Sequence, residues 1–282
     1  MTITTPTPPL VLVIAASDPT AGAGIQADTL TLASLGCHPL SALTAVTVQD
    51  TVGVRSVHPV GADVLVQQVR TLLEDMPVAA FKIGVLGSVE NVVAVAGILA
   101  DHPGIPVVFD PVLTSGRGDD FSGAAIIAAM REFLLPRTTV LTPNTPEARR
   151  LAEDQPGIEL GAQRLIAMGA QYVLITGTHE STPEVTNTLH SPGGILRHDR
   201  WERLPGSYHG SGCTLASAIA GYLASGASIE DAVRDAQDYT WQTLAKGFRP
   251  GRGQFIPDRF YRTRSAGDNA AVDQAEGRGD GR

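Results

Sequence analysis

The period of the apolar positions switches repeatedly along the chain. Residues 10–16 (LVLVIAA) form an unbroken apolar run, the pattern of a short strand buried on both faces. Residues 25–35 then place Ile25, Leu32 and Leu35 at helical spacing and stop at Gly36. Residues 40–48, rich in Thr, Val and Ala, read as a second strand, and 53–60 as a short third. Residues 62–73 carry apolar side chains at 62, 65, 66, 69, 72 and 73, which is a helix. The same reading predicts strands over 79–83, 106–110, 139–141 and 172–176, and helices over 89–99, 121–134, 146–153 and 158–168. Residues 185–189 and 194–201 read as a hairpin. Two helices follow, one over 215–224 and one opened by Ser228-x-x-Asp231 and running to about residue 244.

Strands alternating with helices predict a single three-layer α/β domain over 10–264, with a mostly parallel central sheet. Residues 1–9, rich in Thr and Pro, and 265–282, rich in Gly, Asp, Ala and Arg, are expected to be disordered. In such sheets ligands bind at the carboxyl ends of the strands, so the loops after residues 16, 48, 83, 110, 141 and 176 are the ones to inspect. An apolar content of 43% supplies the core. A net charge of −8 removes the basic footprint that nucleic acid requires. No apolar run reaches the roughly 18 residues of a membrane span, and the N-terminus lacks a basic signal-peptide region. The expectation is a cytoplasmic protein. Cys37 and Cys213 stand alone without a CxxC, which points to a reduced compartment and away from zinc. Lys82 and Lys246 are the only lysines among 21 basic residues, so a cation touching phosphate is expected to be an Arg or a metal.

The chemistry gathers in a few loops. Residues 205–214 (PGSYHGSGCT) lead into the helix over 215–224. Gly210 and Gly212 let backbone approach a ligand, and with Ser211 they start a helix whose first N–H groups lack partners. Orphan donors and the positive dipole end favour an anion. Cys213 sits there too, where a thiol is expected to ionise more easily. Gly22-Ala23-Gly24-Ile25-Gln26-Ala27 fits the dinucleotide pattern, but its glycines begin five residues beyond the strand. No acidic residue closes the second strand at the usual offset, so that reading is set aside. Asp28 either balances a helix dipole or offers a carboxylate to a small polar ligand. Gln49 carries a donor and an acceptor together, which suits the edge of an aminopyrimidine. Asp110 ends a strand, a position that faces a metal or forms a turn. At 142–147 (TPNTPE), Thr145 is the expected cap and Pro146 the first helical residue; Asn144 and Glu147 are candidates for an outer-sphere magnesium and water anchor. The two Arg-Gly-Asp triplets, 117–119 and 278–280, are read as chance.

Six stretches, taken together and in order, resemble the hydroxymethylpyrimidine/phosphomethylpyrimidine kinases of the ribokinase-like superfamily: 17–28, 44–51, 82–84, 110–112, 142–147 and 209–214. The resemblance implies a ribokinase-like fold and an ATP- and Mg2+-dependent kinase of thiamine biosynthesis. Its substrates would be 4-amino-5-hydroxymethyl-2-methylpyrimidine and then the monophosphate. Carried onto matching positions, Gln49 and Asp28 would hold the pyrimidine, lined by Ala23, Thr47, Val85 and Val112. Asn144, Glu147, Thr176, Gly210, Ser211 and Gly212 would hold ATP, with Glu147 and Asp110 toward the metal. Gly210, Gly212 and Cys213 would form the catalytic anion hole, with Cys213 as base. A homodimer is also implied. The chain departs from the family at Ala16, Ala21 and Val85, where Gly, Gly and Met are usual. It also has Thr176 where the family carries a phosphate-facing lysine, and after Asp110-Pro-Val, where an Ala-Lys is usual, it reads Leu113-Thr-Ser-Gly-Arg117, with Arg117 the candidate substitute. Two rival readings are a pyridoxal-type kinase on the same fold and a non-catalytic pyrimidine-binding regulatory protein. Turnover of pyridoxal would mark the first, and binding without ADP release the second.

Overall fold

The strands are β1 Leu10–Ser17, β2 His38–Gln49, β3 Val54–Pro59, β4 Val78–Ile83, β5 Val107–Phe109, β6 Val140–Leu141, β7 Tyr172–Thr176, β8 Glu184–Ser191 and β9 Gly194–Glu202. The α-helices are α1 Gly24–Ser34, α2 Ala62–Asp75, α3 Val89–Asp101, α4 Ala124–Ala129, α5 Thr145–Leu151, α6 Ile158–Ala167, α7 Ser211–Ala224 and α8 Ile229–Ala245. The computed structural model describes residues 7–114, 122–155, 157–180 and 182–264. One nine-stranded sheet crosses it in the order β3-β2-β1-β4-β5-β6-β7-β8-β9. From β2 to β7 the neighbours are parallel. β3, β8 and β9 join antiparallel at the two edges.

β1 shows why the sheet must be covered twice. Leu10, Leu12 and Ile14 enter one apolar cluster with α2, α3 and α4–α6, while Val11, Val13 and Ala15 enter another with α1, α7 and α8. Alternating side chains of one strand therefore feed two cores, which explains the unbroken apolar run. From β1 the chain steps to β2 on one side, and from β4 to β5 on the other. Loops that leave β1 and β4 in opposite directions open a crevice at the carboxyl ends of those strands. α7 packs across β1, β4 and β5, so its N-terminus arrives at that crevice.

Three local expectations are corrected. The helix expected over 121–134 is regular only over α4; it widens into a π turn at Met130–Leu134 and ends in a 3-10 turn at Leu135–Arg137. Pro136, which has no N–H to give, lies in that last turn. The cap of α5 is Asn144 rather than Thr145: the Asn144 side chain accepts from Glu147 N, and Glu147 Oε2 accepts from Asn144 N at 3.0 Å, a reciprocal capping box. Pro9 is no loose end, because its carbonyl accepts from His38 N at 2.9 Å. Residues 1–6 and 265–282, with both Arg-Gly-Asp triplets and Arg117, lie outside the described residues.

Candidate active site

A cavity of about 780 Å³ opens where β1, β2, β4, β5, β6 and β7 end. Among the described residues every candidate site residue except Asp28 lines it. Its floor at one corner is the start of α7. Gly210 adopts φ +80°, a left-handed conformation that favours glycine, and a Cβ there would collide with the Gly22 carbonyl oxygen. The backbones of the two loops therefore touch. Thr214 N–H is the first of the helix to find an internal partner, Gly210 O at 2.9 Å. The N–H groups of Ser211, Gly212 and Cys213 precede it, and these residues line the cavity. No acidic residue lies in the first turn to quench them.

Beneath this corner lies a group of buried charges. Lys82 Nζ donates to Asp28 Oδ2 at 2.9 Å, both side chains wholly buried. Ser217 Oγ donates to Asp28 Oδ1 at 2.7 Å. Asp28 is thus spent on Lys82 and Ser217 and does not reach the cavity; its expected contact with the pyrimidine is replaced by a contact with Lys82, which does line it. Burial alone would lower the Lys82 pKa, but Asp28, Cys213 and Asp110 together hold it above the usual lysine value. Burial pushes Asp110 up to about 6 despite Lys82. Among the described residues Asp110 Oδ2 has no hydrogen-bond partner, although it is buried. Burial, with Asp110 adding to it, pushes Glu147 up to about 8. The Cys213 thiol does not ionise readily as the helix-terminus argument expects: burial pushes it up to about 12, outweighing Lys82.

Gln49, Thr47, Asp18 and His209 build one wall. Thr47 and Gln49 point from the same face of β2. Asp18 Oδ1 accepts from Thr20 N at 2.8 Å, and Oδ2 from Ala23 N at 2.8 Å, which fixes the β1–α1 loop. His209 Nε2 reaches Asp18 Oδ2 at 2.7 Å and the Gln49 amide at 3.3 Å. Ala21, one of the departures from the family, sits at φ +57°, a conformation that disfavours a side chain. Ala23, Val85 and Val112 complete this wall.

The opposite wall comes from β6, β7 and β9. Asn144 and Thr176 face each other across an isolated bridge. Glu147 Oε1 accepts from Leu113 N at 3.2 Å, tying α5 to the loop after β5. Arg203 donates to the carbonyls of Thr182, Thr178 and Glu180 at 2.7, 2.8 and 2.6 Å, closing the loop after β7. Among the described residues no carboxylate lies within ion-pair distance of it.

The C-terminal segment then straps the site together. Gln254 N donates to Thr51 O at 3.0 Å and His209 N to Phe255 O at 2.8 Å. Arg259, only 3% exposed, donates to Ala21 O at 3.3 Å, Gly22 O at 2.6 Å and Thr214 Oγ1 at 3.1 Å. Sequence reasoning missed Arg259, Arg203, Asp18, His209 and Lys82 as site residues. Lys82 carries a signal, a charge inside an apolar strand. Asp18 carries one too, an Asx turn at Asp18-x-Thr20. Arg259 carries none, since its partners Ala21 and Gly22 lie more than two hundred residues upstream and Thr214 forty-five.

Comparison with known proteins agrees with this geometry. A hydroxymethylpyrimidine/phosphomethylpyrimidine kinase of Streptomyces coelicolor is 40% identical over 260 residues, 90% of this chain and 96% of its own. A thiamine biosynthesis bifunctional protein of Geobacter sulfurreducens is 36% identical over 247 residues, 86% of this chain and 50% of its own. The structure of a Staphylococcus aureus pyridoxal kinase in complex with ADP superposes with a TM-score of 0.84 at 30% identity, covering 92% of this chain and 96% of that one. Residues 18–258 match the family described as phosphomethylpyrimidine kinase, and the chain belongs to it.

Proposed function

We propose that this protein transfers the terminal phosphoryl group of ATP to 4-amino-5-hydroxymethyl-2-methylpyrimidine, and then to its monophosphate, to supply thiamine biosynthesis. One observation carries the reading: a single cavity presents both the bare amides of residues 211–213 and the Gln49 amide. The first suits a phosphoryl group and the second the edge of a heteroaromatic ring. The ring lies against Gln49 and Thr47, between Ala23, Val85 and Val112. The nucleotide lies along Asn144, Thr176 and the loop that Arg203 closes, with its last phosphoryl group at 211–213. There the amides stabilise the charge of a loose transition state, which needs alignment more than covalent help.

The residues present fit a divalent cation. Asp110 Oδ2 is buried with no hydrogen-bond partner among the described residues. Among the described residues no group of three or more His, Cys, Asp or Glu forms a dedicated metal cage. One or two carboxylates completed by substrate phosphates and water is how Mg2+ is usually held. Asp110 and Glu147 would hold it, and it would neutralise phosphate charge. As the acceptor oxygen bonds to phosphorus and the bond from that phosphorus to ADP breaks, Cys213 takes the hydroxyl proton; it does so from its minor thiolate form, which Lys82 beneath favours and burial opposes. Among the described residues no helix is long and apolar enough to cross a membrane. The reading is of a cytoplasmic homodimer.

ADP release measured with the hydroxymethylpyrimidine, its phosphate and pyridoxal tests this. Release with the first two is expected. Release with pyridoxal alone, or pyrimidine binding without release, contradicts it. Cys213→Ala should slow the first phosphorylation far more than the second, whose acceptor is already an anion. Equal loss in both steps contradicts the base role.

A further inference from the structure

The contact between His209 and Gln49 determines which end of the amide the substrate meets. Asp18 is surrounded by donors. Its Oδ1 accepts from the Thr20 amide and hydroxyl, each at 2.8 Å, and its Oδ2 from the Ala23 amide at 2.8 Å. Burial would raise its pKa, but its bonds to His209, Thr20 and Ala23 hold it below the usual carboxylate range. An ionised carboxylate oxygen 2.7 Å from His209 Nε2 requires a proton between them, and only the ring can supply it. Nε2 is therefore an N–H, in neutral imidazole and imidazolium alike. A protonated ring nitrogen has no lone pair in the ring plane and cannot accept from an amide NH2. As placed, the Gln49 arm 3.3 Å away is Nε2, which would set two N–H donors against each other; turning the amide puts the carbonyl oxygen there and the NH2 toward the cavity. The two arms have the same shape, so the surrounding hydrogen bonds decide between them.

We propose that the Asp18–His209 pair is a specificity device that locks Gln49 with its NH2 toward the substrate. Such a wall selects a ring edge that offers an unprotonated nitrogen lone pair. Thr47, on the same face of β2, has the complementary polarity. Its hydroxyl hydrogen is spent on Ser17 O at 2.8 Å, which leaves lone pairs to accept an N–H. The matching ligand edge is a ring nitrogen beside an exocyclic amine. The substrate part of this inference rests on the pyrimidine-kinase reading above; the orientation of Gln49 does not.

Two measurements test it. The first needs neither substrate nor variant: 15N spectra of histidine-labelled, ligand-free protein near neutral pH. His209 Nε2 should carry a proton; a bare Nε2 with a protonated Nδ1 overturns the proposal. The second compares the hydroxymethylpyrimidine with its two pyridine analogues, each with one ring nitrogen replaced by C–H. In the unaltered protein, kcat/KM for one analogue should fall about 10- to 100-fold, the cost of leaving a dedicated donor unpaired. In His209→Phe, whose Gln49 amide is free to turn, that discrimination should shrink at least about fivefold. A merely structural role would lower all three substrates together, and an unchanged ratio in the variant overturns the proposal. Absence of any pyrimidine turnover by the unaltered protein would instead strike the functional reading and leave the spectrum to decide the orientation.

Discussion

The two walls of the cavity are built differently. On the β1–β2 side, side chains hold one another: Asp18 binds Thr20, Ala23 and His209, and His209 meets Gln49. The C-terminal strap then clamps that side from behind through Arg259. On the β6–β7 side the frame is mostly backbone: Thr176 N donates to Pro143 O at 3.0 Å, and Arg203 holds three carbonyls of a surface loop. Spent side-chain donors and acceptors specify one ligand edge. Backbone and a loop closed by one arginine specify shape and charge, which suits the phosphates and base of a nucleotide. The contrast teaches that discrimination belongs to the first wall and generic nucleotide capture to the second.

The sharpest break is at the corner the walls share. Gly210→Ala puts a Cβ into the Gly22 carbonyl at positive φ. It should destabilise by about 2 kcal/mol or more. By displacing the amides at 211–213 it should also cut turnover at least about 100-fold. Denaturant unfolding and steady-state kinetics read both. Next is Lys82→Met, which strands Asp28 as a wholly buried, unpaired charge. It should cost about 3–5 kcal/mol, and adding Asp28→Asn should recover much of that. Arg70→Ala, at an exposed pair with Asp101, should cost under about 1 kcal/mol.

Smaller effects separate the walls. Arg259→Ala leaves the Ala21 and Gly22 carbonyls and Thr214 without their buried donor, about 2–3 kcal/mol of stability. It should raise KM for the pyrimidine about tenfold, while KM for ATP changes less than about threefold. Arg203→Ala should do the reverse, raising KM for ATP with the pyrimidine KM unchanged and stability within about 1 kcal/mol. If both variants shift both constants equally, the walls are not separate. The smallest effect is a pH dependence. The Asp18 pKa is lowered on folding, so its stabilisation is present above the unfolded value of 3.8 and lost as pH falls below it toward the folded value. Unfolding midpoints at pH 5 and pH 3 should therefore fall further for the unaltered protein than for Asp18→Asn.

Much of the fold was legible because its signals are local. The run at 10–16, the helical spacing at 62–73 and the Ser228 cap each depend on neighbours in sequence, and apart from the helix expected over 121–134 the strands and helices stand within a few residues of their expected ends. The loops at strand ends were legible for the same reason. Partnership across the fold was not. Asp28 looks like a ligand carboxylate until Lys82, fifty-four residues on, is seen to occupy it. Cys213 looks activated by a helix start until its burial is seen to push the thiol up, outweighing Lys82. Arg259 and His209 matter only because two segments far along the chain, the C-terminal strap and the loop before α7, return to the β1–α1 loop.

A structure of the protein with a non-hydrolysable ATP analogue and the hydroxymethylpyrimidine tests the central claim most directly. The account predicts the terminal phosphoryl group within hydrogen-bond distance of the amides at 211–213, with the ring edge on Gln49. A phosphoryl group seated elsewhere, or a ring that leaves Gln49 untouched, would contradict it.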